Sequence, residues 1–366
     1  MFSEYGRNGV IGIIGGLVVF VTLFVPMLLL QVRLYGRVSA FRLLGAAAVS
    51  VYGVALVAYT LFPLPGDTTE VCTAPLQLVP FHFINDIVRE SAGQPWWDAL
   101  RSTAVIEYLF NIALFVPLGV IVRGFLGRSI LVSTVGGFLV SLLIESTQYT
   151  GIWGIYACAY RFADVDDLIA NTAGAVLGAV IAPLVLRWMP GVRELRPGRL
   201  SVRGVTARRR WLGILFDWTL YSLLASILVV PLVVVPRQLG AEIPEWTEAL
   251  VSTLLPGVLV FLVPVLRKPG VTLGQRAVWL TLDWGGIPPT VGRRLARASV
   301  PLTWTAFLTV GTVAPGTPLS LVAILAGILA VVEIIVVGAT HGQGIGNALA
   351  GARFVDSRAT RVPTDA

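Results

Sequence analysis

Apolar runs separated by short polar stretches dominate the chain. About 20 consecutive apolar residues suffice to carry a helix across hydrocarbon about 30 Å thick. Residues 10–30, 41–62, 105–122, 130–149, 167–188, 212–236, 249–266, 299–313 and 318–340 fit that pattern. The eighth stretch is short and has Pro301 at its start. The first is too long, and its flank (Glu4, Arg7) too nearly neutral, for a removable signal peptide, so it is expected to remain as a span. The pattern predicts an all-α polytopic integral membrane protein of about nine transmembrane helices in two helical bundles. Between the bundles, residues 191–210 carry Pro197, three glycines and many arginines without apolar periodicity. They read as a basic cytoplasmic linker between a domain of residues 1–190 and one of residues 211–366.

Composition strengthens this reading: 56% of residues are hydrophobic and 13% charged, against about 25% charged in soluble domains. The formal net charge of +7 would suit nucleic acid, but the basic residues gather in alternate loops. Arg33, Arg37 and Arg42 follow the first span, Arg123 and Arg128 the third, and the arginines of 187–210 the fifth. Arg267, Lys268, Arg276, Arg293, Arg294 and Arg297 follow the seventh. The intervening loops are acidic or near neutral. By the positive-inside bias the amino terminus lies outside, the carboxyl terminus is cytoplasmic, and the partners are membrane lipids, not nucleic acid. Cys72 and Cys158 both fall in outer loops on this topology, where they are either a disulfide pair or two unrelated small residues.

On the same topology, polar side chains of three helices converge near the outer surface. Asn111 lies early in the third span, Glu145 and Gln148 late in the fourth. Arg161, Asp164, Asp166, Asp167 and Asn171 lead into the fifth. Glu145 and Gln148, three apart, share a helix face. Asp164, Asp167, Asn171, Gly174 and Gly178 form a polar stripe that continues into small residues, which let another helix approach closely. An intramembrane carboxylate such as Glu145 points to a functional site, with Arg161 as its counter-charge. Structural roles compete with that reading: Asp164 suits a helix cap, and Asp166 reads as a solvated loop residue. No cofactor motif is evident; a hard divalent cation is compatible with these oxygen ligands, but no strict ligand spacing marks a metal site. The preceding loop, with "LQLVPFHFINDIV" and "PWWDALRS", reads as an interfacial anchor or a lid. Only two histidines, His82 and His341, are present, which leaves little material for a catalytic triad. "GATHGQGIGNALAG" lacks the Gly-Lys-Ser/Thr of a phosphate loop.

"LVPFHFI" (78–84), "NIALFVPLG" (111–119), "IESTQ" (144–148) and "RFADVDDLIANTAGAVLG" (161–178) together resemble the VanZ-like family, named for a protein associated with teicoplanin resistance. That resemblance implies a multi-spanning bacterial envelope protein with a role in glycopeptide tolerance. The second half resembles the RDD family: "RRRWLGILFDW" places Arg210 seven residues before Asp217, and "GVTLGQRAVWLTL" supplies Gly270 and Gly274 of a Gly-x-Thr-x-Gly element. In its closing element, Asn347 stands where the family usually has Asp. Asp217 is expected to pair with Arg209, Arg210 or Arg276. Three functions stay open: binding or handling a lipid-linked envelope precursor at the outer leaflet, an enzyme acting on a lipid headgroup through these carboxylates, and a cation- or proton-coupled transporter. Glu333, inside the ninth span, keeps the last in play.

Overall fold

The computed structural model describes residues 2–62, 64, 76–93, 95–156, 159, 163–313 and 318–359, of which residues 2–5, 96, 98 and 319 by backbone alone. Cys72, Cys158 and Arg161 lie outside the described residues. The principal helices are α1 (Phe2–Tyr35), α2 (Ala40–Leu61), the short α3 (Phe83–Glu90), α4 (Thr103–Phe125), α5 (Ile130–Tyr149) and α6 (Val165–Val185). Then follow α7 (Ala207–Gln238), α8 (Glu245–Leu266), the single turn α9 (Leu273–Ala277), α10 (Val291–Val313), α11 (Val322–Ala339) and α12 (Ile345–Ala350). The strands are two short pairs. β1 (Leu76–Gln77) lies parallel to β2 (Ala163–Asp164), and β3 (Leu280–Asp283) antiparallel to β4 (Arg353–Asp356).

Eight of the described helices are long and apolar enough to cross a membrane, and the chain is an all-α polytopic membrane protein. The eighth predicted stretch is helical but starts earlier, at Val291, and carries Arg293, Arg294 and Arg297 in its first two turns. α10 is not among those eight. Exposed leucines, isoleucines and valines run the length of α1, α5, α7 and α11, as lipid-facing surfaces require. Prolines explain the irregular turns. Pro117 precedes a π turn in α4, Pro231 lies in one in α7, and Pro256 separates two in α8, each proline removing a ladder N–H.

The chain divides into two compact units, Met1–Met27 with Ser39–Arg196, and Leu28–Val38 with Pro197–Ala366. In the first, α4 and α6 make the closest packing, with α5 against α6. A Cβ built on Gly119 would stand 2.0 Å from the Ala175 carbonyl oxygen, and one on Gly174 2.2 Å from that of Ile112. The two backbones therefore touch, which only small residues permit. In the second unit, Tyr221, Val260, Phe261, Trp304 and Ala326 form the core between α7, α8, α10 and α11.

The basic stretch read as a linker has structure of its own. It contains a helical turn at Val192–Leu195 and a tighter turn at Arg196–Arg199. From Pro197 onward it is fastened within the second unit. The Arg199 carbonyl accepts from Arg358 (2.9 Å) and the Arg203 N–H donates to Asp356 (3.0 Å). Burial alone would raise the Asp356 carboxyl; hydrogen bonds from Arg358, from the Arg203 backbone and from Arg209 hold it well below the usual carboxylate range.

Candidate functional site

The helix α6 begins at Val165 because Asp164 caps it: extended at φ −122°, ψ 130°, its Oδ1 accepts the Asp166 N–H at 2.8 Å. Just before the cap, β2 pairs with β1, setting Leu76 opposite Ala163 and Gln77 opposite Asp164. The loop ahead of α4 is thus hydrogen-bonded to the start of α6. Burial raises the half-buried Asp164 carboxyl; the Asp166 N–H opposes this, and the Asp166 charge adds to it.

Asp166 departs from its expected role as a solvated residue. It is 3% exposed, and its two oxygens accept the backbone N–H groups of Phe81 (2.5 Å) and Phe83 (2.9 Å). Phe81 adopts a left-handed conformation, φ 62°. Strain of this kind in a bulky residue persists only where the surroundings enforce it. Here the turn aims two N–H donors at one carboxylate, a small anion nest formed by the "PFHF" segment. The same loop is fastened twice more. Glu90 accepts the Thr103 N–H at the start of α4 (2.8 Å), and the Phe83 and Tyr108 rings stack with centroids 4.0 Å apart. Leu78, Val79, Phe81, Ile84, Val88 and Trp97 remain exposed, an apolar outer face suited to the membrane boundary. Removing the nest is predicted to release this loop: Asp166→Ala costs about 3 kcal/mol, since two hydrogen bonds to a charged group vanish. Proteolysis between residues 78 and 95 of the purified protein should then be faster than in the parent; equal cleavage rates would contradict the clamp.

The other predicted residues fall into linked pairs. Asn111 Nδ2 on α4 donates to Asp167 Oδ1 on α6 at 2.5 Å. Glu145, 5% exposed on α5, accepts the Asp164 N–H at 3.2 Å. Asn171 donates to Ser141 Oγ at 2.9 Å, one turn of α5 deeper, and its own Oδ1 is buried without a partner. Gln148 turns toward α2, donating to the Thr60 carbonyl at 2.6 Å. Glu145, Asp164, Asp166, Asp167 and Asn111 therefore share one end of the α4–α5–α6 bundle, while Gln148 and Asn171 serve its packing. Among the described residues, no three His, Cys, Asp or Glu side chains are gathered as metal ligands.

In the second unit, the Gly-x-Thr-x-Gly element forms a receptor for Asp217. Gly270 takes φ 85° to turn the chain, and Thr272 then caps α9 in a box with Gln275. The buried Asp217 carboxylate accepts the Thr272 hydroxyl (2.6 Å) and the Gly274 N–H (2.7 Å). A Cβ on Gly274 would stand 2.2 Å from the Gly213 carbonyl oxygen, so glycine is required for the approach. Of the expected partners Arg209, Arg210 and Arg276, only Arg210 lies close enough for its charge to act on Asp217, and the hydrogen bonds come from Thr272 and Gly274 instead. A helix start offers preformed donors at fixed positions, whereas the Arg209 guanidinium is held by Asp356 (2.9 Å) and the Val278 and Trp279 carbonyls (2.6 and 2.7 Å). Arg297, 6% exposed, donates to the Gly270 carbonyl at 2.6 Å, to Gln275 Oε1, and to Asn347 Oδ1 at 3.1 Å. Asn347 thus supplies an acceptor oxygen to this arginine without a charge.

The Thr272–Gln275 spacing carries a signal for a capping box; Phe81, Phe83, Glu90, Ser141 and Arg297 carry none, because each acts through a partner distant in sequence. No match was found among curated proteins or among solved structures. A family model described as VanZ/LLP1 matches residues 49–186, which run from within α2 to the end of α6 and contain every residue of the Asn111–Glu145–Asp167 cluster; this part of the chain is similar to that family.

Proposed function

We propose that the VanZ-like part binds or handles a lipid-linked cell-envelope component at the outer leaflet of a bacterial plasma membrane, and thereby contributes to tolerance of glycopeptides such as teicoplanin. The observation carrying this reading is the gathering of Asn111, Glu145, Asp164, Asp166 and Asp167 at one bundle end, beneath a loop clamped to α6. The family likeness over residues 49–186 agrees with it. Arg161, in the same motif, supplies the cation for an anionic headgroup. Asp164, Asp166 and Asp167 each accept an N–H donor, which supports a polar surface built for binding. On this reading the amino terminus is outside, the carboxyl terminus is cytoplasmic, and the second unit is an RDD-like domain built on Arg210, Asp217, Gly270 and Gly274.

The test is teicoplanin susceptibility of a bacterial host expressing the full chain. Glu145→Gln, Asp167→Asn and Arg161→Ala are each expected to abolish the gain in tolerance while the amount of protein in the membrane stays at the parental level. Tolerance unchanged in all three variants would remove the reading.

A further inference from the structure

The second unit holds a cavity of about 490 Å³ between α7, α8, α10 and α11, of the size that takes small ligands. Its walls are apolar over most of their extent, including Ile214, Trp218, Phe261, Trp304 and Leu329. Three charged groups, Arg210, Asp217 and Glu333, face it at one end. Two of them are engaged: Asp217 by Thr272 and Gly274, Glu333 by the Ile345 N–H at 3.2 Å. Arg210 feels the charge of both, yet its Nε is buried without a hydrogen-bond partner, and the guanidinium stacks on the Phe354 ring, 4.9 Å from the centroid. A buried charged donor left unsatisfied is costly, and its presence in a folded protein calls for an acceptor.

Depth and access narrow the choice of acceptor. Arg210 lies in the first turn of α7, where the span meets the headgroup region, and Trp218 lies eight residues on, about 12 Å along the helix axis. Charge at the boundary with an apolar wall running inward matches a lipid lying along its normal direction. Trp211 and Trp218 of α7 and Ile334 of α11 line the cavity and are also 40%, 45% and 46% exposed. The cavity wall therefore reaches the exposed apolar surface between these helices, where Trp211 Nε1 also donates to the Ile334 carbonyl at 3.2 Å. A water-soluble anion would need no such wall.

We propose that this cavity binds an acyl-chained phosphodiester from the surrounding bilayer, its phosphate accepting from the Arg210 guanidinium, hydroxyls of its headgroup donating to Glu333, and its chain lying against Trp218, Trp304 and Phe261. The site is separate from the carboxylate cluster of the first unit, and its occupancy does not depend on what that cluster binds.

Native mass spectrometry of the full chain in detergent tests it, with dioleoyl phosphatidylglycerol, dioleoylglycerol and inorganic phosphate as probes. Phosphatidylglycerol is expected to be retained, dioleoylglycerol not, and inorganic phosphate neither to bind nor to compete. Arg210→Gln should weaken retention by about tenfold or more, the loss expected for one charge-assisted contact. Ala330→Trp, which adds bulk to the apolar wall and leaves Arg210, Asp217 and Glu333 in the sequence, should abolish it; this variant carries the test if Arg210→Gln fails to fold. Retention of dioleoylglycerol equal to that of phosphatidylglycerol, competition by inorganic phosphate, or parental retention in a folded variant would each overturn the proposal.

Discussion

Gly178→Val is expected to unfold the first helical unit. A Cβ at Gly178 would stand 2.0 Å from the Val116 carbonyl oxygen and 3.0 Å from the Val120 nitrogen, so the obstacle is main chain and has no rotamer to change. Relief requires α4 and α6 to separate, and that separation also pulls Asn111 away from Asp167. Overpacking usually costs about 1–3 kcal/mol; with backbone on both sides, and a buried polar pair broken as well, about 4 kcal/mol or more is expected. Thermal unfolding of the purified protein in detergent, with the amount recovered from membranes, measures it. Gly136→Val on α5 is the control, because a Cβ there meets nothing within 4 Å. Equal unfolding temperatures for the two variants would show that the α4–α6 contact is looser than described.

The same contact shows what could be read from the chain before its fold was known. The small-residue stripe of Gly174 and Gly178, continuing from Asp167 and Asn171, predicted a close helix approach, because spacing on one helix is a local property. Spans were legible for the same reason: residues 130–149 were expected and Ile130–Tyr149 is the helix. Asp164 as a cap was legible too, since a cap serves its own helix. Asp166 was not. Its donors belong to Phe81 and Phe83, more than eighty positions earlier, and only the folded loop brings them near. Gln148 shares a helix face with Glu145, yet that face meets two neighbours, and Thr60 of α2 takes the amide. The cavity of the second unit was hidden for a further reason. Its apolar lining residues are indistinguishable by type from those that face lipid, and the Arg210 Nε becomes informative only once the fold shows it buried without a hydrogen-bond partner.

Asp217→Ala carries the largest expected loss in the second unit. It leaves the Thr272 hydroxyl and the Gly274 N–H without their acceptor, in a place where neither reaches water. It also takes away the nearest negative charge from Arg210 and Arg297, which lie close enough to act on it. Removing one partner from a buried charged arrangement costs about 3–5 kcal/mol, and the loss should appear as a lower unfolding temperature in detergent. Asp217→Asn is expected to cost less. The amide oxygen still accepts the Gly274 N–H, and the Thr272 hydroxyl can rotate to accept from the amide nitrogen. Thr272→Val separates the hydroxyl from the backbone donor and alone costs about 1–2 kcal/mol. If the three groups act as a unit, the Asp217→Ala, Thr272→Val double variant loses less than the sum of its single changes. Strict additivity, or an Asp217→Ala protein as stable as the parent, would mean that the start of α9 is held by packing on Gly213 and not by the carboxylate.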